Sequence, residues 1–353
     1  MLNKRSFLTQ GASALLFGGG VSLLAACKGP APPPARITDA AGRVVTISRT
    51  IGKVFAAGPP ASVLVYALAP EKMVGWVRAP SPQQKEFLAA PYRDLPEHGR
   101  LTGKGNTANL EQVIALKPDL IVDVGSLDPT FASLADRVQE QTGIAYVLLD
   151  GAFAKSAELI RSFGEMIGAN ARAEKLAGYG EATLAAIKQR LSTTPVRPSV
   201  YYGRGPEGLE TGLKGSINLE VLEAVGATNV AGAAGGGGLT NISPEQLLKW
   251  NPDVILAQDK KFRDALLADK AWKSLKAVRE GQVFVPPSAP FGWFDAPPGI
   301  NRLLGARWLL VTLYPRPGDD LAATTAEFYD LFYHVKLAPE QIDRLLAPAR
   351  AAR

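Results

Sequence analysis

A fourteen-residue segment occurs twice in this chain, and this repeat constrains the fold more than any other feature of the sequence. Residues 109–122 read NLEQVIALKPDLIV, and residues 243–256 read SPEQLLKWNPDVIL. Each copy predicts a helix that begins at a capping residue, then a Pro-Asp turn, then a buried strand of aliphatic residues. Two copies of one helix–turn–strand unit predict two lobes of similar architecture.

Short apolar strands alternate with amphipathic helices in the two blocks of sequence that contain the copies. In the first block the predicted strands are residues 53–57, 73–77, 120–124 and 145–149, and the predicted helices are residues 62–69, 109–116 and 129–142. In the second block the predicted strands are residues 200–202, 254–257 and 283–285, and the predicted helices are residues 219–225, 244–250, 260–267, 299–313 and 324–332. Strands that alternate with helices form a mostly parallel sheet covered on both faces, so the predicted fold class is α/β. Residues 36–47, which alternate around Gly42, predict a small hairpin before the first block.

A run of helical periodicity separates the two blocks. Residues 156–191 carry apolar side chains at helical spacing, with a break at residues 168–170, and the second helix spans roughly 20 residues, or about 30 Å. A helix of this length predicts a strut that limits the movement of one lobe against the other. The predicted domains are a first lobe at residues 36–152, connecting helices at 153–195 and a second lobe at 196–353.

The first 35 residues carry features of export and anchoring. Lys4 and Arg5 precede an uncharged run, residues 11–26, which is shorter than the roughly 20 apolar residues of a membrane-spanning helix. The run ends in LAAC, which resembles a lipoprotein signal-peptidase site, and Cys27 is the only cysteine of the chain. We therefore predict a signal peptide at residues 1–27, lipidation at Cys27, a proline-rich tether at 28–35, and a lipid-anchored protein outside the cytoplasm. The start of the chain also resembles a twin-arginine signal with lysine in the first position, so twin-arginine and general secretion both stay open.

Charge and histidine content narrow the range of partners. The formal net charge of +6 is spread along the chain without a basic run interleaved with aromatic residues, so no nucleic-acid partner is predicted. The only two histidines, His98 and His334, disfavour capture of bare Zn²⁺ or Mn²⁺, because such sites use several histidine and carboxylate ligands. The sequence therefore assigns no protein metal ligand, no intrinsic cofactor and no catalytic residue.

One glutamate lies in the first turn of each repeated helix. Glu111 and Glu245 are acids at positions that the helix dipole favours, and this alone would explain them. Two lobes related by an approximate twofold axis would, however, present these glutamates on matching surfaces. Two matched acids are suited to docking on a two-subunit membrane partner.

Several segments, in this order, resemble the periplasmic binding proteins for iron-siderophore complexes, haem and vitamin B12. They are residues 37–47 (ITDAAGRVVTI), both copies of the repeat, residues 143–150 (GIAYVLLD), residues 201–231 and residues 291–315. The resemblance implies a class III periplasmic binding protein, with two Rossmann-like lobes of mostly parallel sheets joined by a single long helix and a ligand in the cleft between them. It implies that Glu111 and Glu245 pair with arginines of an ABC permease dimer, whose ATPase supplies the energy. We expect the protein to act as a monomer.

The carboxyl ends of strands are where ligands bind in open α/β sheets, and this rule selects the candidate ligand site. The loops at these ends carry aromatic rings that can stack on a flat ligand, arginines that can pair with anionic groups, and glycines such as the run at residues 235–238 that permit close approach. The candidate ligand-binding residues are Pro60, Trp76, Arg78, Asn106, Tyr202, Arg204, Trp293 and Phe294. Arg302, inside an apolar helix, is interpreted instead as the partner in a structural ion pair.

The predicted ligand is a metal chelate of the iron-siderophore, haem or cobalamin type, because such a ligand brings its own metal donors. A tetrahedral oxyanion such as molybdate or tungstate is the alternative within the same fold, since backbone amides of glycine-rich loops and one arginine can hold it. A nucleotide-dependent enzyme is a distant alternative: residues 103–108 fit G-x-G-x-x-A but lie outside a clean strand-to-helix turn.

Overall fold

In the part of the chain that the structure describes, the strands form two parallel sheets and two antiparallel pairs. The computed structural model describes residues 33–103 and 105–347; the predicted signal peptide, Cys27 and most of the predicted tether lie outside the described residues. The strands are β1 (Ala35–Thr38), β2 (Val44–Ile47), β3 (Val54–Ala56), β4 (Leu120–Gly125), β5 (Tyr146–Asp150), β6 (Ser199–Gly203), β7 (Glu210–Gly212), β8 (Thr228–Asn229), β9 (Leu239–Asn241), β10 (Val254–Ala257) and β11 (Val283–Phe284). One sheet has the order β3-β4-β5 and the other β11-β10-β6-β8, while β1 pairs with β2 and β7 with β9.

Helices cover the two parallel sheets. They are α1 (Pro59–Leu68), α2 (Pro82–Lys85), α3 (Ala90–Arg93), α4 (Leu110–Leu116), α5 (Pro129–Thr142), α6 (Ser156–Met166), α7 (Asn170–Ser192), α8 (Glu220–Ala224), α9 (Pro244–Trp250), α10 (Lys260–Ala268), α11 (Lys276–Arg279), α12 (Arg302–Leu313), α13 (Leu321–Tyr333) and α14 (Pro339–Leu346). Within residues 33–103 and 105–347, none of the helices combines the length and the apolar character needed to cross a membrane. The predicted α/β class, with mostly parallel sheets and one long helix, α7, between the lobes, is confirmed.

The repeated segments fold into two copies of the same unit. Asn109 and Ser243 cap α4 and α9 with their side chains, and both helices end at a left-handed residue, Lys117 with φ 49° and Asn251 with φ 43°. The aspartate of each Pro-Asp turn then binds the start of the neighbouring strand: Asp119 Oδ2 accepts from the N–H groups of Gly52 and Lys53. Asp253 Oδ2 likewise accepts from the N–H and the hydroxyl of Ser199. The polar side chains of the repeat thus fix the register of β4 beside β3 and of β10 beside β6.

The two lobes share one strand order. The sheet of the second lobe contains β6, β8, β10 and β11, which are its first, second, third and fourth strands along the chain. Across the sheet they lie in the order β8, β6, β10, β11, so the second strand comes before the first. In the first lobe Met73 forms a parallel bridge to Val54 of β3, on the side away from β4, which gives the same order. The predicted strand at residues 73–77 is reduced to this bridge, because Trp76 N–H donates to Pro96 O and His98 N–H to Trp76 O instead of continuing along β3.

The last helices of the chain pack on the first lobe. The hydroxyl of Tyr66 on α1 donates to Tyr333 O at the end of α13 over 2.6 Å, and Arg172 Nη2 at the start of α7 donates to Leu331 O over 2.6 Å. Phe328 and Phe332, on the same face of α13, are completely buried and stack at 4.2 Å. Residues 321–346, which the sequence assigns to the second lobe, therefore contact the first, although the predicted lobe boundaries themselves stay a prediction.

Arg302, the first residue of α12, joins the two lobes. Its guanidinium is buried, with Nη2 donating to Gly151 O after β5 over 2.6 Å and Nη1 donating to Ile217 O and to Glu220 Oε2 over 2.7 and 2.9 Å. Glu220 Oε2 also accepts from the N–H of Phe153, directly after the first lobe. The sequence-based interpretation of Arg302 as a structural ion-pair partner is confirmed by its pairing with Glu220.

Replacing Arg302 by methionine should destabilise the protein by about 3 kcal/mol or more, because the carboxylate and carbonyls it binds lose their partner between the lobes. Chemical denaturation of the mature protein measures this. Arg307→Met is the matched control on the same helix, since Arg307 is half-buried and contacts the Thr183 hydroxyl and the face of the Tyr179 ring without an ion pair to a carboxylate among the described residues; its cost should stay near 1 kcal/mol. Equal costs for the two variants would contradict the assigned role of Arg302.

Candidate functional site

Each sheet reverses its strand order at one point, and the loops that leave the sheet at this point form the candidate site. In the first lobe the reversal lies between β3 and β4, and in the second between β6 and β10. Ligands of open parallel sheets bind beyond the carboxyl ends of the strands at such switch points. The site is therefore built from the segment after β3 that begins at Gly58, the end of β4, and Arg204 with Gln258 after β6 and β10.

The segment after β3 is the uncapped start of α1. Its N-cap, Gly58, has no side chain that could accept a hydrogen bond from the helix N–H groups, and prolines occupy the first two helical positions. A β-carbon on Gly58 would lie 2.5 Å from Thr102 Oγ1, so a glycine is required by the close approach of that threonine. The positive end of the α1 dipole is thus directed at the switch point, and no side-chain cap accepts a hydrogen bond from the first turn.

Arg100 brings a guanidinium to the same point. Its Nε donates to Gly105 O over 3.2 Å, and a β-carbon placed on Gly103 would lie 4.0 Å from both Arg100 Nη1 and Pro59 Cδ. The arginine therefore lies across Gly103 from the first turn of α1. Sequence reasoning selected Asn106 in the loop that follows but missed Arg100.

Asp123 lies beneath these loops as a buried carboxyl group. Oδ1 accepts from Thr102 Oγ1 over 3.1 Å and from Val124 N–H over 2.9 Å, and Oδ2 is 3.4 Å from the Tyr146 hydroxyl. The residue is 5 % exposed and forms none of the ion pairs found in the described chain. Burial raises the pKa of Asp123 to about 6, against the smaller opposing effect of these hydrogen bonds.

In the second lobe the charge of Arg204 is balanced by two carboxylates. Arg204 Nε donates to Asp295 Oδ2 over 2.7 Å, and Arg204 also pairs with Glu210. Asp295 is buried, and its other oxygen accepts from Asn218 Nδ2 and Ala296 N–H. Beside them, Gly205 N–H donates to Gln258 Oε1 over 3.0 Å. The structure places Arg204 at the switch point, as part of an ion-pair cluster that the sequence did not reveal.

The four aromatic rings of the predicted site lie in the core. Trp76, Tyr202, Trp293 and Phe294 are 0–2 % exposed. Trp76 Nε1 donates to Tyr92 O, Trp293 Nε1 to the Tyr329 hydroxyl, and the rings of Tyr202 and Phe294 pack with centroids 4.5 Å apart. The loop that carries Trp293 is covered by α12, since a β-carbon on Gly305 would lie 1.8 Å from Trp293 O. A ligand-stacking role for these rings stays a prediction.

The other predicted site residues lie apart from one another. Pro60 contacts the second lobe, since its Cα is 3.4 Å from the position of a β-carbon on Gly299. Arg78 and Asn106 are exposed on separate loops, and Asn106 Oδ1 accepts from Ala108 N–H. Glu111 and Glu245 are exposed in the first turns of α4 and α9, as the docking prediction requires. In the described part of the chain, no group of three or more His, Cys, Asp or Glu side chains is placed to hold a metal ion.

Replacing Asp123 by asparagine should stabilise the protein at neutral pH. Since the folded pKa of about 6 lies above the ordinary value of 3.8, the fold favours the protonated acid. The contribution of Asp123 to stability is therefore most favourable below about pH 4 and is lost as the pH rises through 6. Asp123→Asn should raise the free energy of unfolding at pH 8 by roughly 2 kcal/mol and have little effect near pH 4.

Urea denaturation at several pH values tests this, with Asp253→Asn as a comparison variant whose effect on stability at neutral pH should be opposite. Lys276 and Ser199 lower the pKa of Asp253 to about 2, so the ionised Asp253 stabilises the fold at neutral pH. Its replacement should therefore destabilise the protein there. A loss of stability in Asp123→Asn at pH 8 would contradict the assignment of Asp123 as an unfavourably buried carboxylate.

A family model and two sequence relatives assign the chain to the same family of proteins. Residues 65–290 match the family described as periplasmic binding protein. The chain is 27% identical over 335 residues to the molybdate-binding protein MolA of Haemophilus influenzae, covering 87% of this chain and 93% of MolA. It is 26% identical over 259 residues to the uncharacterized ABC transporter substrate-binding lipoprotein YvrC of Bacillus subtilis, covering 71% of this chain and 77% of YvrC.

A solved structure agrees in fold. The ABC transporter solute binding protein from Sulfurospirillum deleyianum superposes with a TM-score of 0.80 at 27% sequence identity, covering 88% of this chain and 99% of that protein. The family resemblance and the class III architecture that the sequence implied are thereby confirmed, and the family implies a location outside the cytoplasm. The chain belongs to the periplasmic binding protein family and is a substrate-binding protein of an ABC transporter.

Proposed function

We propose that the protein captures a compact tetrahedral oxyanion of the molybdate class at the switch point of its first lobe and delivers it to an ABC permease. The observation that carries this proposal is the uncapped start of α1 at Gly58 next to the Arg100 guanidinium. Helix N-termini and arginines are the groups that bind anions of this kind. The similarity to a molybdate-binding protein along most of both chains supports the same ligand class.

The burial of the aromatic rings favours a small ligand over a bulky one. An iron-siderophore, haem or cobalamin ligand, which the sequence favours, would gain most from exposed rings on which to stack. The indole N–H groups of Trp76 and Trp293 instead donate hydrogen bonds to partners inside the protein. A metal chelate therefore becomes the alternative, and the first binding experiment separates it from the oxyanion.

Titration calorimetry of the mature protein with molybdate and tungstate should show binding, whereas ferric hydroxamate, haem and cobalamin should give none. Arg100→Ala should weaken oxyanion binding about tenfold or more, because a charge-assisted contact contributes about 1.5–3 kcal/mol. Arg137→Ala, at an exposed position on α5, is the matched control and should leave the affinity unchanged. Binding of a chelate in the absence of any heat from the oxyanions would overturn the proposal.

Delivery should depend on the two repeated glutamates. We expect the double variant Glu111→Arg plus Glu245→Arg to abolish ABC-dependent uptake in cells while leaving ligand affinity intact, because reversed charges repel a basic docking surface. Glu140→Arg plus Glu280→Arg, which changes two other exposed acids, is the charge-matched control. Normal uptake by the first double variant would show that these glutamates do not dock the permease.

The proposed site of action is the outer face of a membrane. Lipidation of Cys27 would hold a monomeric binding domain there through the tether at residues 28–35, after export by the general or the twin-arginine route. The support for this arrangement is the LAAC sequence and the similarity to a substrate-binding lipoprotein.

A further inference from the structure

Asp123 is a buried acid at the point where the proposed ligand binds. A β-carbon on Gly58 would lie 3.4 Å from Asp123 Oδ1, so the carboxyl group lies directly under the residue that begins α1. Thr102, which donates to the same oxygen, is the residue before Gly103, and a β-carbon on Gly103 would lie 4.0 Å from both Arg100 Nη1 and Pro59 Cδ. The carboxyl group and the oxyanion would therefore be close neighbours, separated only by one glycine and one threonine side chain.

The surroundings of Asp123 offer hydrogen bonds but little positive charge. The loop before Gly103 supplies the Thr102 hydroxyl, β5 supplies the Tyr146 hydroxyl, and β4 supplies Val124 N–H. Gly58, the N-cap of α1, brings no side chain. The cation on the far side of Tyr146 is Arg43, whose Nη1 is bound to Asp39 Oδ2 and to Tyr146 O. The guanidinium of Arg100 lies beyond Gly103, toward the ligand side.

A dianion that binds above Gly58 meets like charge from an ionised Asp123. The bound dianion and an ionised Asp123 would be two negative charges close together in a partly buried site, and keeping both charged costs free energy. The weaker acid of the pair therefore gains a proton. The carboxyl group already accepts from two hydroxyls that can rotate, and a protonated carboxyl group keeps an acceptor oxygen for Thr102. Burial places the pKa of Asp123 at about 6 before any ligand is bound, so uptake of a proton at neutral pH demands only a modest further shift.

We propose that Asp123 takes up a proton when the oxyanion binds, so that the first lobe captures anion and proton together. This inference rests on the proposed oxyanion function and adds to it a second, coupled ligand. It also gives a reason for an otherwise unfavourable residue: a buried carboxylate without a cation costs stability at neutral pH, and such costs concentrate at functional sites. Affinity should then be highest in acidic surroundings and fall as the pH rises.

The test is titration calorimetry with tungstate at pH 7 in two buffers of different ionisation enthalpy. The wild-type protein should take up between one half and one proton per bound anion, and its affinity should fall about tenfold between pH 6 and pH 8, since each unit of pKa shift is a tenfold change. Asp123→Asn should bind tungstate with proton uptake near zero and an affinity that is nearly constant over this range. Asp39→Asn, at the other buried acid of this lobe, which is paired with Arg43, should keep the wild-type uptake.

The outcomes separate this inference from the proposed function. Tungstate binding to the wild type without proton uptake overturns the proton coupling and leaves the oxyanion function standing. Proton uptake that persists in Asp123→Asn overturns the assignment to Asp123. Absence of tungstate binding to the wild type overturns both, because the coupled proton has no anion to accompany. The wild-type measurement does not depend on any variant being folded.

Discussion

The buried guanidinium of Arg302 is the interaction on which the arrangement of the two lobes depends. It binds a carbonyl after β5 in the first lobe, the Ile217 carbonyl and the carboxylate of Glu220, the first residue of α8, in the second, and the turn that precedes its own helix. A buried arginine keeps its charge only when its donors are satisfied. The segments that satisfy them are therefore held in one relative position.

The two switch points differ in how their charges are balanced. In the second lobe, Arg204 is enclosed by Asp295 and Glu210, so its charge is neutralised within the protein. In the first lobe, the start of α1 and Arg100 lie above the buried carboxyl group of Asp123, which forms none of the ion pairs found among the described residues and can lose its charge by accepting a proton. Anion selectivity would thus come mainly from the first lobe, while the second lobe supplies a preformed polar wall. A site built from backbone and fixed ion pairs requires little movement on binding, in keeping with the long helix α7 and the Arg302 junction.

Much of the fold could be predicted from the sequence because the repeat is local. The cap, the Pro-Asp turn and the strand in each copy are short-range patterns, and they identified α4 with β4 and α9 with β10 correctly. The parts that escaped prediction depend on contacts between distant segments. Burial of Trp293 follows from the approach of Gly305 on α12, and burial of Trp76 from its packing on Phe291, more than 200 positions away. Similarly, Arg100, Asp123 and Asp295 carry no motif, and only the folded chain shows that they flank the switch points.

A crystal structure of the protein with tungstate would show whether an oxyanion is held between the start of α1 and Arg100. Tungsten scatters strongly enough near its absorption edge to be located by anomalous difference density. We predict one dominant peak within contact distance of Gly58 and the Arg100 guanidinium, on the side of Thr102 away from Asp123. A dominant peak elsewhere in the cleft, or crystals that bind a coloured chelate there and no tungsten, would contradict it.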